Sequence, residues 1–459
     1  MVQKKKYDLI VIGSGPGGHR AAVQASKLGQ RVLIVEKDGM GGACLHTGTI
    51  PSKALREQAL ASEKGRAWAT ELMARTHGVI EEEREVTIEH FRRNGVEAVH
   101  GTASLTGPNR VKIVAADESV EIEARYILIA TGTRPRRPND IPFDDKAICD
   151  SDSILKLDRH PTTMCVLGAG VIGCEYASIF ARMGVKVVLV DARPELLGSI
   201  DREIVEALTK QFEKSGVDLR LATEFKNLKV DKDREGKPIA RIELVSHGVA
   251  GKETEERMFD VVLYCLGRTG NYEALNLSAV GLEPDKRGQL TVDSNYQTSV
   301  PSIYAVGDII GAPALAASSS EQGRLAILHA FTGEKAQFPD TFPYGIYTIP
   351  EISSVGVQES VLKARNVKYV VGKAPFPVLA RGKMLNDEFG FLKILVHKKT
   401  RRVMGVHVIG TSATELVHIG QVAMAFGATV DFFIENVFNY PTLAEAYKVA
   451  AINAENKLM

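Results

Sequence analysis

Two glycine clusters carry the clearest chemistry in this chain. Gly13-Ser14-Gly15-Pro16-Gly17-Gly18 follows the apolar run Tyr7–Ile12, and Gly168-Ala169-Gly170-Val171-Ile172-Gly173 follows Met164–Leu167. After each comes a helical pattern and then a second apolar run that closes on an acid: Arg31–Val35 on Glu36, Lys186–Val190 on Asp191. Glycines at this spacing form a phosphate cradle. Gly13 and Gly168 make the tight turn, Gly15 and Gly170 let backbone approach a pyrophosphate, and Gly18 and Gly173 let helix pack on strand. The helix N-terminus turns unpaired N–H groups toward the phosphates. Glu36 and Asp191 are placed to accept from ribose hydroxyls. The offset from Gly13 to Gly168 equals that from Glu36 to Asp191, 155 positions. One such motif is weak evidence, whereas a whole strand–loop–helix–strand unit repeated at fixed offset predicts two dinucleotide sites. One nucleotide is expected to stay bound and the other to exchange.

Three more strand-like runs end in small or acidic residues: Tyr126–Ala130 before Thr131-Gly132, Val261–Leu266 before Gly267-Arg268, and Ser302–Val306 before Gly307-Asp308. In open α/β sheets ligands bind at such strand ends. Asp191 favours NAD, while Arg193, two residues on, can offset its repulsion of a 2′-phosphate and bind it. An acid and a base together fit a site open to both NAD and NADP. No Cys or His pair has metal-ligand spacing, so no metal is expected. Glu415 and His418, three apart on a helical pattern, are read as interface residues.

The elements that must position these residues span 459 residues, with 57 Lys plus Arg against 56 Asp plus Glu, a net charge of +1. That balance offers no basic field for nucleic acid. The apolar run near the N-terminus is too short for a signal-peptide core, and Lys4, Lys5 and Lys6 read as a solvated tail. Five scattered cysteines and no apolar stretch of membrane-spanning length point to a cytoplasmic protein. Arg134-Pro135-Arg136-Arg137-Pro138 reads as a linker. Beyond about Pro343 the texture changes: strand-like Phe391–Val396 and Gly405–Val408 flank a basic turn, and helical patterns follow near Thr414–Phe426 and Thr442–Asn456. This tail carries no nucleotide signature and is read as an interface domain. The fold class expected is α/β, with two Rossmann-like dinucleotide-binding domains and an α+β C-terminal dimerisation domain. The boundaries expected are 1–145, 146–267, 268–340 and 341–459.

Over essentially its full length the chain resembles the pyridine nucleotide–disulfide oxidoreductases. Gly307-Asp308 is similar to that family's flavin-binding motif, and Gly41-Gly42-Ala43-Cys44-Leu45-His46-Thr47-Gly48-Thr49-Ile50-Pro51-Ser52-Lys53 to its active-site segment. Two departures stand out. The family's disulfide reductases carry a second Cys where this chain has Thr49. They also carry a His where this chain has Tyr440, ahead of Pro441-Thr442-Leu443-Ala444-Glu445. A hydroxyl forms no disulfide, and a phenol with a pKa near 10 is a poor base at neutral pH. With neither dithiol nor base, disulfide reduction is not expected. Together with Asn439-Tyr440-Pro441-Thr442 and Gly345–Ile352, the Cys44…Thr49 pattern resembles the family's transhydrogenase branch.

The resemblance implies tightly bound FAD, exchanging NAD(H) and NADP(H), and ping-pong hydride transfer from NADPH to NAD⁺. The alternative is an NAD(P)H dehydrogenase that passes electrons from FAD to a quinone or other acceptor. It places Lys53 beside the flavin, paired with Glu175, as the catalytic pair. An ammonium there favours the negative charge the flavin gains. The helix from about Ala316 is expected to turn its N-terminus to the same ring. The binding residues implied are Gly13, Gly15, Gly18, Glu36, Gly42, Cys44, Lys53, Ala103, Gly132, Asp308 and Ala316 for one nucleotide. For the other they are Gly168, Gly170, Gly173, Asp191, Arg193 and Gly267. Cys44 and His46 read as packing residues, and a homodimer or larger homo-oligomer is expected.

Overall fold

A computed structural model describes residues 6–62, 70–116, 118–248 and 251–459. Lys4 and Lys5 lie outside the described residues, and Lys6 is exposed. Two parallel sheets form the frame, alike in the order of their first four strands and differing in the fifth, which follows the others along the chain in the first sheet and precedes them in the second. In the first, Glu97–His100, Val32–Glu36, Tyr7–Ile12, Glu118–Ile129 and Ile303–Ala305 lie side by side. In the second the order is Asp218–Arg220, Lys186–Val190, Thr163–Leu167, Val261–Tyr264 and Ile148–Asp150. The central strands are almost wholly apolar because both faces are covered, as parallel sheets require.

Each nucleotide unit also carries an antiparallel meander at the same place in the repeat, within the parallel sheet in the first and as a separate three-stranded sheet in the second. Thr102–Gly107 and Arg110–Ala115 pair with the first half of Glu118–Ile129. Thr223–Lys232, Pro238–Gly248 and Gly251–Phe259 form the second meander. The alternation of buried and exposed residues in Arg110–Ala115 is that of a half-covered strand. The expected linker is partly structured. Thr133–Pro135 pairs antiparallel with Arg268–Gly270, tying the two crossings between the nucleotide sheets into a two-stranded ribbon. Pro135 is at the end of its strand, where a missing N–H costs least.

The C-terminal part is a five-stranded antiparallel sheet in the order Tyr344–Ile346, Glu351–Gly356, Val403–Gly410, Phe391–His397, Tyr369–Pro375. The expected hairpin is present, with Leu392 opposite Val408. Helices Ala413–Ala425 and Glu445–Glu455 cover one face. The Tyr447 hydroxyl bridges them, donating to Leu416 O and accepting from Gly420 N. Where sheet and second nucleotide domain meet, the fully buried Lys393 ammonium lies 3.0 Å from both oxygens of Asp201 and 2.5 Å from Glu359. A buried cation is tolerated there because three carboxylates, counting Glu203, surround it.

Candidate active site

The two glycine loops are built alike. Gly13 and Gly168 have φ of +101° and +111°, open to glycine alone at low cost. Their N–H groups each donate at 2.8 Å to the strand that follows, on Val35 O and Val190 O. A Cβ on Gly18 or Gly173 would sit 2.0 or 1.8 Å from the carbonyl oxygen of Gly13 or Gly168. Around Gly15 and Gly170 nothing lies within 4 Å of such a Cβ. The middle glycine therefore faces open space, as a cradle for pyrophosphate must.

The acids are held by the loops themselves. Glu36, buried, accepts from Ser14 N at 2.8 Å and Ser14 Oγ at 2.7 Å, and from the N–H groups of Lys37 and Asp38. Asp191 accepts from Ala169 N at 2.6 Å and from Arg193 by its N–H and its guanidinium fork. Burial pushes the Asp191 carboxyl up. The Arg193 fork and the two N–H groups outweigh it and hold the group below the usual carboxylate range. The Arg193 side chain is 54% exposed.

Between the two loops stands the Lys53–Glu175 pair. Lys53 is on the helix Thr49–Ala61 and Glu175 on Val171–Arg182, and Nζ lies 2.7 Å from Oε2. The other Glu175 oxygen accepts from Tyr347 N at 2.8 Å. The pair thus joins three parts of the chain. Cys44 has its thiol near Thr49. Burial pushes its thiol up, with Thr49 and the Lys53 charge pulling the other way, so it is no ready thiolate. His46 Nε2 donates to Met40 O at 2.9 Å, a structural bond.

Asp308 follows the strand Ile303–Ala305 and accepts from Thr133 Oγ1 at 3.1 Å. Ala316 opens the helix Ala316–Thr332, as expected. Gly42 (φ +63°) brings its turn against Gly15, and Gly41 N donates to Ser14 Oγ. Gly132 and Gly267 both have positive φ and open space where a side chain would be. Ala103 is buried in the core, two residues past Gly101, whose N–H donates to Glu36 O. Thr131 Oγ1 is buried without a partner beside Gly132, an acceptor and donor awaiting a ligand. These cradles and that orphaned hydroxyl fit two dinucleotides. Among the described residues no group of three or more His, Cys, Asp or Glu side chains could hold a metal. No helix among them is long and apolar enough to cross a membrane.

Residues 7–323 match the family model described as pyridine nucleotide–disulphide oxidoreductase, and 342–451 match its dimerisation domain. The chain belongs to that family. FAD is accordingly its cofactor, with nicotinamide nucleotides as substrates. A soluble pyridine nucleotide transhydrogenase of Mycobacterium bovis (strain BCG / Pasteur 1173P2) is 43% identical, over 99% of this chain and 98% of that protein. One of Vibrio vulnificus (strain YJ016) is 41% identical over the whole of both. Among solved structures, the HOCl-induced flavoprotein disulfide reductase RclA from Escherichia coli superposes with a TM-score of 0.87, covering 97% of this chain and 99% of that one, at 24% identity. Sequence reasoning missed the roles of Tyr347, Glu351 and Thr414, which reach the Lys53 helix from the C-terminal domain, and of Arg56 on that helix. The signal for Tyr347 and Glu351 was the segment Gly345–Ile352, which carries no chemistry of its own in one dimension.

Proposed function

We propose that the protein is an FAD-dependent transhydrogenase, moving hydride from NADPH to NAD⁺ in a ping-pong sequence with no redox-active disulfide. The observation that carries this reading is Cys44 facing Thr49, beside an intact Lys53–Glu175 pair. FAD, when bound, supplies the hydride relay. Gly13, Gly15, Gly18, Gly42 and Glu36 hold its pyrophosphate and ribose end, with Ala103 beside them. Asp308, Gly132, Cys44 and the N-terminus at Ala316 line its other half. Gly168, Gly170, Gly173, Asp191, Arg193 and Gly267 receive the visiting nucleotide. Lys53, fixed by Glu175, presents an ammonium whose charge favours accepting hydride.

The partition into 1–145, 146–267, 268–340 and 341–459 follows from the same assignment. A homodimer through the C-terminal domain is supported by apolar side chains left in solvent there, Phe426 at 87% and Val437 at 93% exposure, with Tyr440 beside them in sequence. The net charge and the five free cysteines suit a cytoplasmic enzyme. The test is steady-state turnover of the purified protein with NADPH and thio-NAD⁺, run against quinone and disulfide acceptors. Nucleotide exchange is expected to be fast and disulfide reduction undetectable. Faster turnover with a quinone would make the protein an NAD(P)H dehydrogenase instead.

A further inference from the structure

Six side chains form a closed circuit around the Lys53 helix. Lys53 pairs with Glu175, and Glu175 accepts from Tyr347 N. The Tyr347 side chain lies close to Thr414, whose N–H and Oγ1 donate to Glu351 at 3.1 and 2.7 Å. Glu351 lies 3.2 Å from the Arg56 guanidinium, and Arg56 is three residues from Lys53 on the same helix. Arg56 is almost wholly buried and also donates to Thr348 O at 3.1 Å. The circuit passes through three parts of the chain and returns to its own start.

Within it, Tyr347 does two things at once. Its backbone fixes Glu175, and its ring lies 4.9 Å from Lys53 Nζ, within the range of a cation–π contact. The ammonium therefore has two supports, a carboxylate on one side and a π face on another. Lys53 has a four-carbon stem and many rotamers, and its side chain keeps 24% of its surface in solvent. A carboxylate alone leaves such a chain free to pivot about one contact. The ring removes that freedom, and the Tyr347 backbone is itself tied to Glu175.

We propose that Tyr347 is a positioning residue for the hydride-transfer step, its ring orienting the Lys53 ammonium toward the flavin. This rests on reading Lys53 as the charge beside the flavin, though not on which nucleotide accepts the hydride. The ring's contact with Lys53 is of the size that sets a rate by about tenfold. Replacing the ring should loosen the ammonium, weaken its favourable field and make the bound flavin harder to reduce.

The experiment measures the midpoint potential of bound FAD by dye equilibration, and flavin reduction by NADPH in stopped flow, for the full-length holoenzyme. Tyr347→Leu is expected to move the potential to more negative values and slow reduction about tenfold. Tyr347→Phe, which keeps the ring, should stay within about threefold of wild type. In a Lys53→Met background Tyr347→Leu should change neither quantity, because its partner is gone. A flavin-loaded Tyr347→Leu protein with wild-type potential and rate overturns the proposal, as does an undiminished effect of Tyr347→Leu in the Lys53→Met background. Should Tyr347→Leu not fold, Tyr347→Met removes the π face while keeping a long apolar side chain. A negative shift of potential there supports the proposal, and an unchanged one overturns it. The potential is read without NAD⁺, so failure of transhydrogenation leaves this result separately visible.

Discussion

The two glycine loops share a backbone and differ in what covers it. In the first, Glu36 accepts from the Ser14, Lys37 and Asp38 N–H groups and from the buried Ser14 hydroxyl. The helix Pro16–Lys27 is clamped by Ala316–Thr332, so closely that a Cβ on Gly323 would meet Gly17 O at 2.2 Å. In the second, Asp191 accepts from the Ala169 and Arg193 N–H groups and, in addition, from the half-exposed guanidinium of Arg193. The same repeat position that carries His19-Arg20 in the first helix carries Cys174-Glu175 in the second. One helix buries an imidazole against its neighbour, and the other sends a carboxylate to Lys53. The two acids share main-chain donors and differ in the side chain that joins them, a buried hydroxyl in one and a half-exposed guanidinium in the other.

The largest expected effect comes from filling the third glycine of each loop. Gly18→Ala and Gly173→Ala place a methyl inside 2.0 and 1.8 Å of a carbonyl oxygen, a clash costing about 1–3 kcal/mol or more. Gly18→Ala should yield colourless protein without flavin. Gly173→Ala should stay yellow and lose about a hundredfold in kcat/KM for NADPH. Equal flavin loss in both, read from the visible spectrum, would erase the distinction.

Next is Lys53→Met, which removes the charge between the loops. Flavin content should hold while reduction by NADPH slows by about a hundredfold in stopped flow. Arg193→Ala is a smaller change and bears only on the second loop. The KM for NADPH is expected to rise about tenfold with kcat nearly unchanged and the KM for NADH little altered. Equal changes for both nucleotides would show that Arg193 does not read the 2′-phosphate.

The smallest effect belongs to the first loop. Burial, with help from His90 and Arg20, lowers His19 to about 4, and its ring lies 2.9 Å from His90. Its folded pKa lies below the unfolded value near 6.5, so the unfolded state binds the extra proton first. The stability it contributes is full above about pH 6.5 and is lost as pH falls toward 4. Thermal denaturation followed by flavin release should show part of the acid sensitivity vanish in His19→Asn. An unchanged pH profile would place the acid-sensitive group elsewhere.

Much of this was legible in one dimension because the motifs are local. Gly13 to Glu36 and Gly168 to Asp191 are each a single strand–helix–strand, and their equal spacing announced the matched sheets. Lys53 and Glu175 were placed through the family resemblance and stand 2.7 Å apart. Tyr347, Thr414 and Glu351 were invisible because their roles arise only when a distant antiparallel sheet folds back on the Lys53 helix. The buried Lys393 escaped for a related reason. In sequence it is a lysine in an apolar strand, and only the fold brings Asp201, Glu203 and Glu359 around it. The second strand of the linker, Arg268–Gly270, lies more than a hundred residues from its partner, beyond the reach of turn signals.

The central claim is that redox chemistry in this chain ends at the flavin and reaches no sulfur pair. Anaerobic titration of the FAD-loaded protein with NADPH, with thiols counted before and after, tests it most directly. One equivalent of NADPH per flavin, with no new thiol and full recovery of the oxidised spectrum on adding NAD⁺, is the result expected. Uptake of a second equivalent together with new thiol groups would contradict it.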